Sequence, residues 1–253
     1  MKGDPPMLDW LSAEGYAMLR LCDRRAFAWE WLRRSPSYRR LWMARDKLPP
    51  DAPERVGLLA WVDPGLIWGE ARPIWNIGTD PKVLDGRPAI GKAHAEDLFD
   101  IRSLAPFVSV EIAAGHTEHW LLSDGRWVIR LDIHDGTLLG GPVLLEYRLN
   151  GRQSAKSKLD ALHQLLTLSE KGRAPRSLAP HEHRAAQWIL ELRVGDALLA
   201  GATQQEMARV LFKSAIAPRR WRSQSASYRL RIQRLVRIAR HRLSNPLDGP
   251  WFE

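Results

Sequence analysis

One cysteine, Cys22, stands in the whole chain of 253 residues. A single thiol excludes an internal disulfide and any zinc site built from several cysteines. Its helix-like neighbours suggest a small, half-buried side chain rather than a nucleophile. Long apolar runs are also missing. Stretches such as Ile189-Leu190 and Val143-Leu144-Leu145 are far too short to cross a bilayer. The first ten residues, MKGDPPMLDW, lack the charged-then-apolar order of a secretion signal, so a cytoplasmic, nucleoid-associated protein is expected with no membrane partner. Nucleotide and protease motifs are absent too. There is no P-loop, no GxGxxG after a strand and no HExxH. His181 and His183 of HEH are two apart and point to different sides of a helix. His116 and His119 of HTEH come without a cysteine or a clear carboxylate set. Asp132, His134 and Asp135 sit at a strand-to-turn junction, where polar residues are expected anyway. No metal, cofactor or catalytic residue is predicted.

Acidic residues are scarce in one place only. Residues 203–253 hold 11 Lys/Arg against 3 Asp/Glu, whereas residues 1–100 hold 15 of each and residues 101–202 hold 12 against 11. Nearly all of the net charge of +9 therefore sits in the last fifth of the chain. A localised basic block predicts a polyanionic partner. The block centres on SYRLRIQRLVRIARHRL, residues 227–243, with six arginines and no acid. On a helical wheel Tyr228, Ile232, Leu235, Val236, Ala239 and Leu243 form one apolar stripe. Arg234, Arg237 and His241 point the opposite way, with Gln233 to one side. Arg229, Arg231, Arg240 and Arg242 flank the stripe, where their stems can cover the edge of a core. Such a helix suits double-stranded DNA: arginines displace counterions from phosphates, and Arg and Gln fit base edges in the major groove. A membrane surface fits less well, because the stripe is narrow and lacks Trp or Phe.

The helix before it carries a start signal. Thr203-Gln-Gln-Glu206 is a capping box opening QQEMARVLF. A short capped helix followed by a basic one follows helix-turn-helix order, and small Ala208 would let the two cross closely. The connection departs from that pattern. Twelve residues separate Phe212 from Ser225, where three or four are usual. They include Arg219, Arg220 and Arg222, which join the predicted DNA-contacting set, and Trp221, read as a core plug.

What is abundant is tryptophan, twelve in all, seven of them in the first 75 residues. An aromatic core explains most of them. The stretch AWEWLRR also combines the residue types enriched at interface hot spots, so Trp29, Trp31, Arg33 and Arg34 are candidate protein contacts. Asp23 is placed to cap a first helix, and Ser35-Pro36 to end it and start the next. Short apolar runs broken by Pro and Gly over residues 55–112 suggest short strands or irregular chain, with an interdomain linker over 81–115. HWLLSD, RWVIRLDIH and VLLEYRL read as a small β-meander, with Asp124-Gly125 and Asn150-Gly151 as turns. Helices are then expected over SKLDALHQLLTLSEK, ended by Gly172, and over HEHRAAQWILELRVGDALLA, ended by Gly201. The expected class is α+β: a helical Trp-rich domain over residues 1–80, then a β-meander and a helix-turn-helix-like DNA-binding domain over 116–253.

Two segments resemble a known family. GYAMLRLCDRRAFAWEWLRRSPSYRRLW, with Phe27 to Arg39 at its centre, resembles the N-terminal domain of proteobacterial regulators. RLDIHDGTLLGGPVLLEYRLNG, RAPRSLAPHEHRAAQWILELRVGDALLAGATQQEMARVLF and YRLRIQRLVRIARHRL resemble the partner C-terminal domain. Together they are similar to two-domain transcriptional activators of integrative and conjugative elements. The resemblance implies DNA binding by a C-terminal helix-turn-helix variant. It also implies protein contact through the N-terminal domain, with RNA polymerase or an antiactivator protein as candidate partners. The competing expectation is an antiactivator or adaptor that binds protein and does not itself hold specific DNA.

Overall fold

A computed structural model describes residues 8–113, 115–174, 178, 182–212 and 226–253. The N-terminal residues build helices around aromatic side chains. A 3-10 helix over Glu14–Leu21 buries Tyr16 and Leu19. Asp23 then caps α1 (Arg24–Leu32), its carboxylate accepting from the Arg25 amide at 2.8 Å. Pro36 occupies the first turn of α2 (Pro36–Ala44), as its fixed φ and missing N–H favour. Ser35 stands at the cap position, but its hydroxyl meets Ser37 Oγ at 2.7 Å rather than a backbone amide. A four-residue helix, α3 (Trp68–Ala71), and an isolated bridge between Leu58 and Trp75 complete this part.

The segment expected as a linker supplies half the strands of a sheet, one in its middle and one at each edge. Residues 81–115 supply β1 (Val83–Pro88), β2 (Leu98–Phe99) and β3 (Val108–Ile112). With β4 (Glu118–Ser123), β5 (Val128–Ile133) and β6 (Val143–Arg148) they form one six-stranded sheet in the order β2-β6-β1-β5-β4-β3. The expected meander is therefore split. β4 and β5 do form an antiparallel hairpin, turning at Gly125 with φ of 89°. β6 does not continue from β5, because β1 inserts between them, parallel to β5 and antiparallel to β6. The apolar runs alone could not show this, since the partner strand comes from forty residues upstream. Asn150-Gly151 closes β6 and leads into a helix: Gly151, at φ of 72°, precedes α4 (Arg152–Lys171).

Alternation along the strands assigns the two sheet faces. Leu84, Trp120, Leu122, Ile129, Leu131 and Ile133 pack on one face with Leu165 and Leu168 of α4. The opposite face turns towards the helices and carries His119, Arg130 and Asp132. Arg130 donates to the carbonyl of Trp75 and to Asp132 Oδ1 at 3.1 Å. His119 Nδ1 lies 2.9 Å from that same carboxylate oxygen, so this histidine is engaged in a polar seam between sheet and helices.

The second core joins the two ends of the chain. α5 (Ala185–Leu199) and α7 (Ala226–Ser244) pack on α1 and the N-terminal aromatics, and α6 (Gln204–Phe212) packs on α5 and α7. Phe27, Trp29, Trp31, Trp188, Ile232, Ala239 and Trp251 share one buried cluster. Trp251, in the tail after α7, meets Trp188 edge-on at 5.1 Å and stacks near Phe27 at 6.0 Å. Gly195 sits inside α5 where only a bare backbone fits, because a Cβ there would meet Trp31 Cζ3 at 2.8 Å. Gly195→Ala is therefore expected to destabilise by about 1–3 kcal/mol through overpacking, against a helix-propensity gain of about 1 kcal/mol. Urea unfolding of the variant checks this, and a higher midpoint than the parent would contradict it.

Four residues expected as protein contacts lie in this core instead. Trp29 and Trp31 are 0% exposed, and Arg33 and Arg34 are 1% exposed. The arginines are inside because carboxylates meet them there. Arg33 Nε donates to Glu30 Oε2 at 2.7 Å. Arg34 donates to the same Glu30 oxygen and makes two bonds to Asp196 of α5, at 2.7 and 2.8 Å. Tyr16 donates its hydroxyl to Asp196 at 2.6 Å, and the Trp68 amide donates to Glu30 at 3.0 Å. Every carboxylate oxygen of Glu30 and Asp196 is thus occupied, which is what a buried ionic group requires. The Trp-Arg density of AWEWLRR specifies a paired interior, not a docking face.

Candidate nucleic-acid interface

α7 owes its position to its apolar stripe. Ile232, Leu235, Val236, Ala239 and Leu243 are buried, and Tyr228 is half-buried. Burying that side forces the arginines of the other turns outward. Arg231, Arg234, Arg237, Arg240, His241 and Gln233 are exposed. Arg229 is half-buried, so less of its charge is open to a partner. Arg219, Arg220, Arg222 and Trp221 lie outside the described residues. His181 does as well.

The flanking arginines anchor the helix. Arg242 is buried, with its guanidinium 4.6 Å from the Trp251 ring and Nη1 2.7 Å from Glu191 Oε2 of α5, an ion pair outside good hydrogen-bond alignment. Burial lowers the Arg242 pKa more than Glu191 restores it, and the side chain belongs to the α5–α7 contact. Arg231 lays its guanidinium 4.4 Å over the Phe212 ring of α6. Phe212 in turn meets Tyr228 at 5.5 Å.

The capping box ahead of α6 is formed. The Thr203 amide donates to Glu206 at 2.7 Å, and the Glu206 amide donates back to the Thr203 hydroxyl at 3.3 Å. Hydrogen bonds from Thr203 hold the Glu206 carboxyl below the usual range. Met207 and Ala208 are fully buried, and α6 packs on α7.

Between α5 and α7 runs an open groove of about 720 Å³. Its walls include Arg184 and Gln187 of the α5 start and Arg231, Arg234, Arg237 and His241 of α7. The acids on its lining are engaged. Glu191 lies against Arg242 and accepts from Gln187 Nε2 at 3.0 Å. Asp248 meets His241 Nε2 at 2.5 Å. Among the described residues, no carboxylate pairs with Arg184, Arg231, Arg234 or Arg237. Four arginines thus face one opening without an internal counter-charge, which is an anion-attracting surface.

Residues 148–243 match the family model described as a T6SS transcription factor DNA-binding domain. Residues 9–60 match that of a proteobacterial transcriptional regulator-like domain. No curated protein matches the chain. The two matches support a DNA-binding transcriptional regulator. The matched DNA-binding region contains α4 to α7, and hence every basic side chain of the groove. Its first helix, α4, packs under the sheet, whereas α5 to α7 pack on the regulator-like segment. No described helix is long and apolar enough to cross a membrane.

Arg184 and Gln187 escaped the sequence reading. The signal was faint: Gln187 falls opposite the Ala185, Trp188, Ile189 and Leu192 face of α5, and Arg184 at its edge, one turn before Trp188. Nothing in HEHRAAQW says that this polar edge will lie beside α7. Trp251 was missed for a similar reason, since a lone aromatic in a short tail has no periodicity.

Proposed function

We propose that the protein is a sequence-specific DNA-binding transcriptional activator that contacts duplex DNA through the exposed face of α7. The observation that carries this is the row of exposed Arg231, Arg234, Arg237 and Arg240 on a helix locked down by its apolar stripe, inside the region similar to a DNA-binding domain. α6 and α7, with the connection over 213–225, serve as a helix-turn-helix variant in which α7 is the recognition helix. Arg219, Arg220 and Arg222 in that connection, outside the described residues, are further candidate DNA contacts. The regulator-like segment supplies the activating contact, with RNA polymerase as its target and an antiactivator as its competitor. Genes of an integrative or conjugative element are the regulated set in this reading, on the resemblance described above. The T6SS description of the matched domain supports secretion genes as the other set to test.

The double variant Arg234→Ala, Arg237→Ala tests the site. Each lost contact is worth about 1–3 kcal/mol, so binding of the full chain to duplex DNA should weaken by about tenfold or more per arginine. The melting temperature should stay near the parent's, because both side chains are exposed. Fluorescence anisotropy reads the first and thermal unfolding the second. Unchanged binding would move the DNA site off α7. It would favour the alternative in which the protein is an adaptor or antiactivator.

A further inference from the structure

We propose that the α5–α7 groove seats the phosphate backbone of one DNA strand, with Arg184 of α5 as a phosphate clamp, and that the far edge of α7 reads bases. This rests on the DNA-binding reading above and divides that surface into two roles.

The division follows from the geometry of α7. At 100° per residue, Arg231, Arg234 and His241 fall on the side of the helix that turns towards α5, and all three line the groove. Gln233 and Arg240 fall on the other side of the exposed face and are not part of the groove lining. Arg237 stands between the two. The charged groups of the groove side that remain open are arginines, its two carboxylates being engaged by Arg242 and His241. Such a wall recognises phosphates and carries no sequence information. The far side holds the amide of Gln233, the one uncharged side chain among these that can bond both N6 and N7 on the major-groove edge of an adenine.

Arg184 comes from a different helix, opposite the α7 arginines. Its guanidinium lies 5.3 Å from the ring of buried Trp188, which leaves the charge exposed at the groove mouth while fixing where it sits. A cation set against an aromatic ring, with no carboxylate paired to it among the described residues, has less freedom to lose when a phosphate arrives. Positive groups on both walls of the groove would hold the backbone between α5 and α7. That places the helix pair in register and turns the Gln233 edge towards the base pairs.

The experiment uses the full chain, a mixed-sequence duplex, and a second duplex selected from a random pool on the parent protein. Anisotropy is measured at several salt concentrations. Each lost phosphate contact makes the slope of log K against log salt shallower by about 0.9. Arg184→Ala is expected to weaken both duplexes alike and to flatten the slope by about one. Arg184→Lys, which keeps the charge, is expected to retain the slope. Gln233→Ala is expected to leave the slope unchanged and to lower the preference for the selected duplex. If the parent binds and Arg184→Ala matches it in affinity and slope on both duplexes, the groove does not hold phosphate and this inference falls, while DNA binding by α7 stands. If Arg184→Ala loses preference without a change of slope, Arg184 reads bases and the division is wrong. If the parent binds neither duplex at low salt, the DNA-binding reading itself fails.

Discussion

Replacing Arg34 with alanine is expected to cost about 3–5 kcal/mol, the loss typical of removing one partner from a buried ionic network. Among the described residues Asp196 would lose both guanidinium bonds and keep the Tyr16 hydroxyl at 2.6 Å, inside a core where it is 1% exposed. Glu30 would retain Arg33 at 2.7 Å, so the damage centres on Asp196. Domains have about 5–15 kcal/mol of net stability to lose. The variant should therefore unfold at a much lower denaturant concentration, or fail to accumulate in soluble form. Urea unfolding followed by tryptophan fluorescence measures it, since Trp29, Trp31 and Trp188 are buried in the same core. A midpoint within error of the parent's would show that the network contributes no net stability. The same chemistry sets an acid limit. Burial pushes the Glu30 carboxyl up, but Arg34 and Arg33 outweigh it and hold it below the usual range. A lowered folded-state pKa contributes stability that is present above the unfolded pKa and is lost as pH falls towards the folded one. Stability should thus decline through the acidic range below the ordinary Glu pKa, and less steeply in a Glu30→Gln variant.

Residues 115–253 expressed alone are expected not to form the native fold. The fragment contains the whole predicted DNA-binding region, which makes it an attractive part to isolate. It lacks β1, which pairs with both β5 and β6 in the middle of the sheet. It also lacks Phe27, Trp29 and Trp31, which pack on Trp188, Trp251 and the buried side of α7. Two interior strand edges and an aromatic face would be open to water, a recipe for aggregation. Near-ultraviolet circular dichroism and a denaturant titration check this. A cooperative transition and a native-like aromatic spectrum in the fragment would show that the C-terminal half is autonomous. The consequence for function is direct. The regulator-like segment helps to build the platform under α7, so truncating it would remove DNA binding through loss of fold. Loss of DNA binding on truncation is therefore no sign that the segment touches DNA.

The order and chemistry of local elements were legible because they are written in neighbouring residues. Asp23 before α1, Pro36 opening α2, the Thr203–Glu206 box and Gly172 after α4 all act within a few positions of themselves. The amphipathic wheel of α7 was equally plain, since a period of 3.6 separates a buried stripe from a charged face without reference to any partner. The charge excess of the last fifth of the chain is a property of the sequence whatever the fold.

Other features depended on contacts between distant segments, and only the tertiary structure decided them. The place of β1 between β5 and β6 is set by pairing across more than forty residues, and alternating apolar runs carry no label for their partner. Whether Arg34 faces water or the interior turned on Asp196, 162 residues beyond it, coming to lie against it. Gly195 reads as an ordinary weak point in a helix until Trp31 is seen to press on it. Arg184 comes to face the α7 arginines only because α5 packs beside α7. A sequence records what each segment can do with its neighbours along the chain. Its function here comes from which distant charges packing sets side by side and which it leaves unpaired.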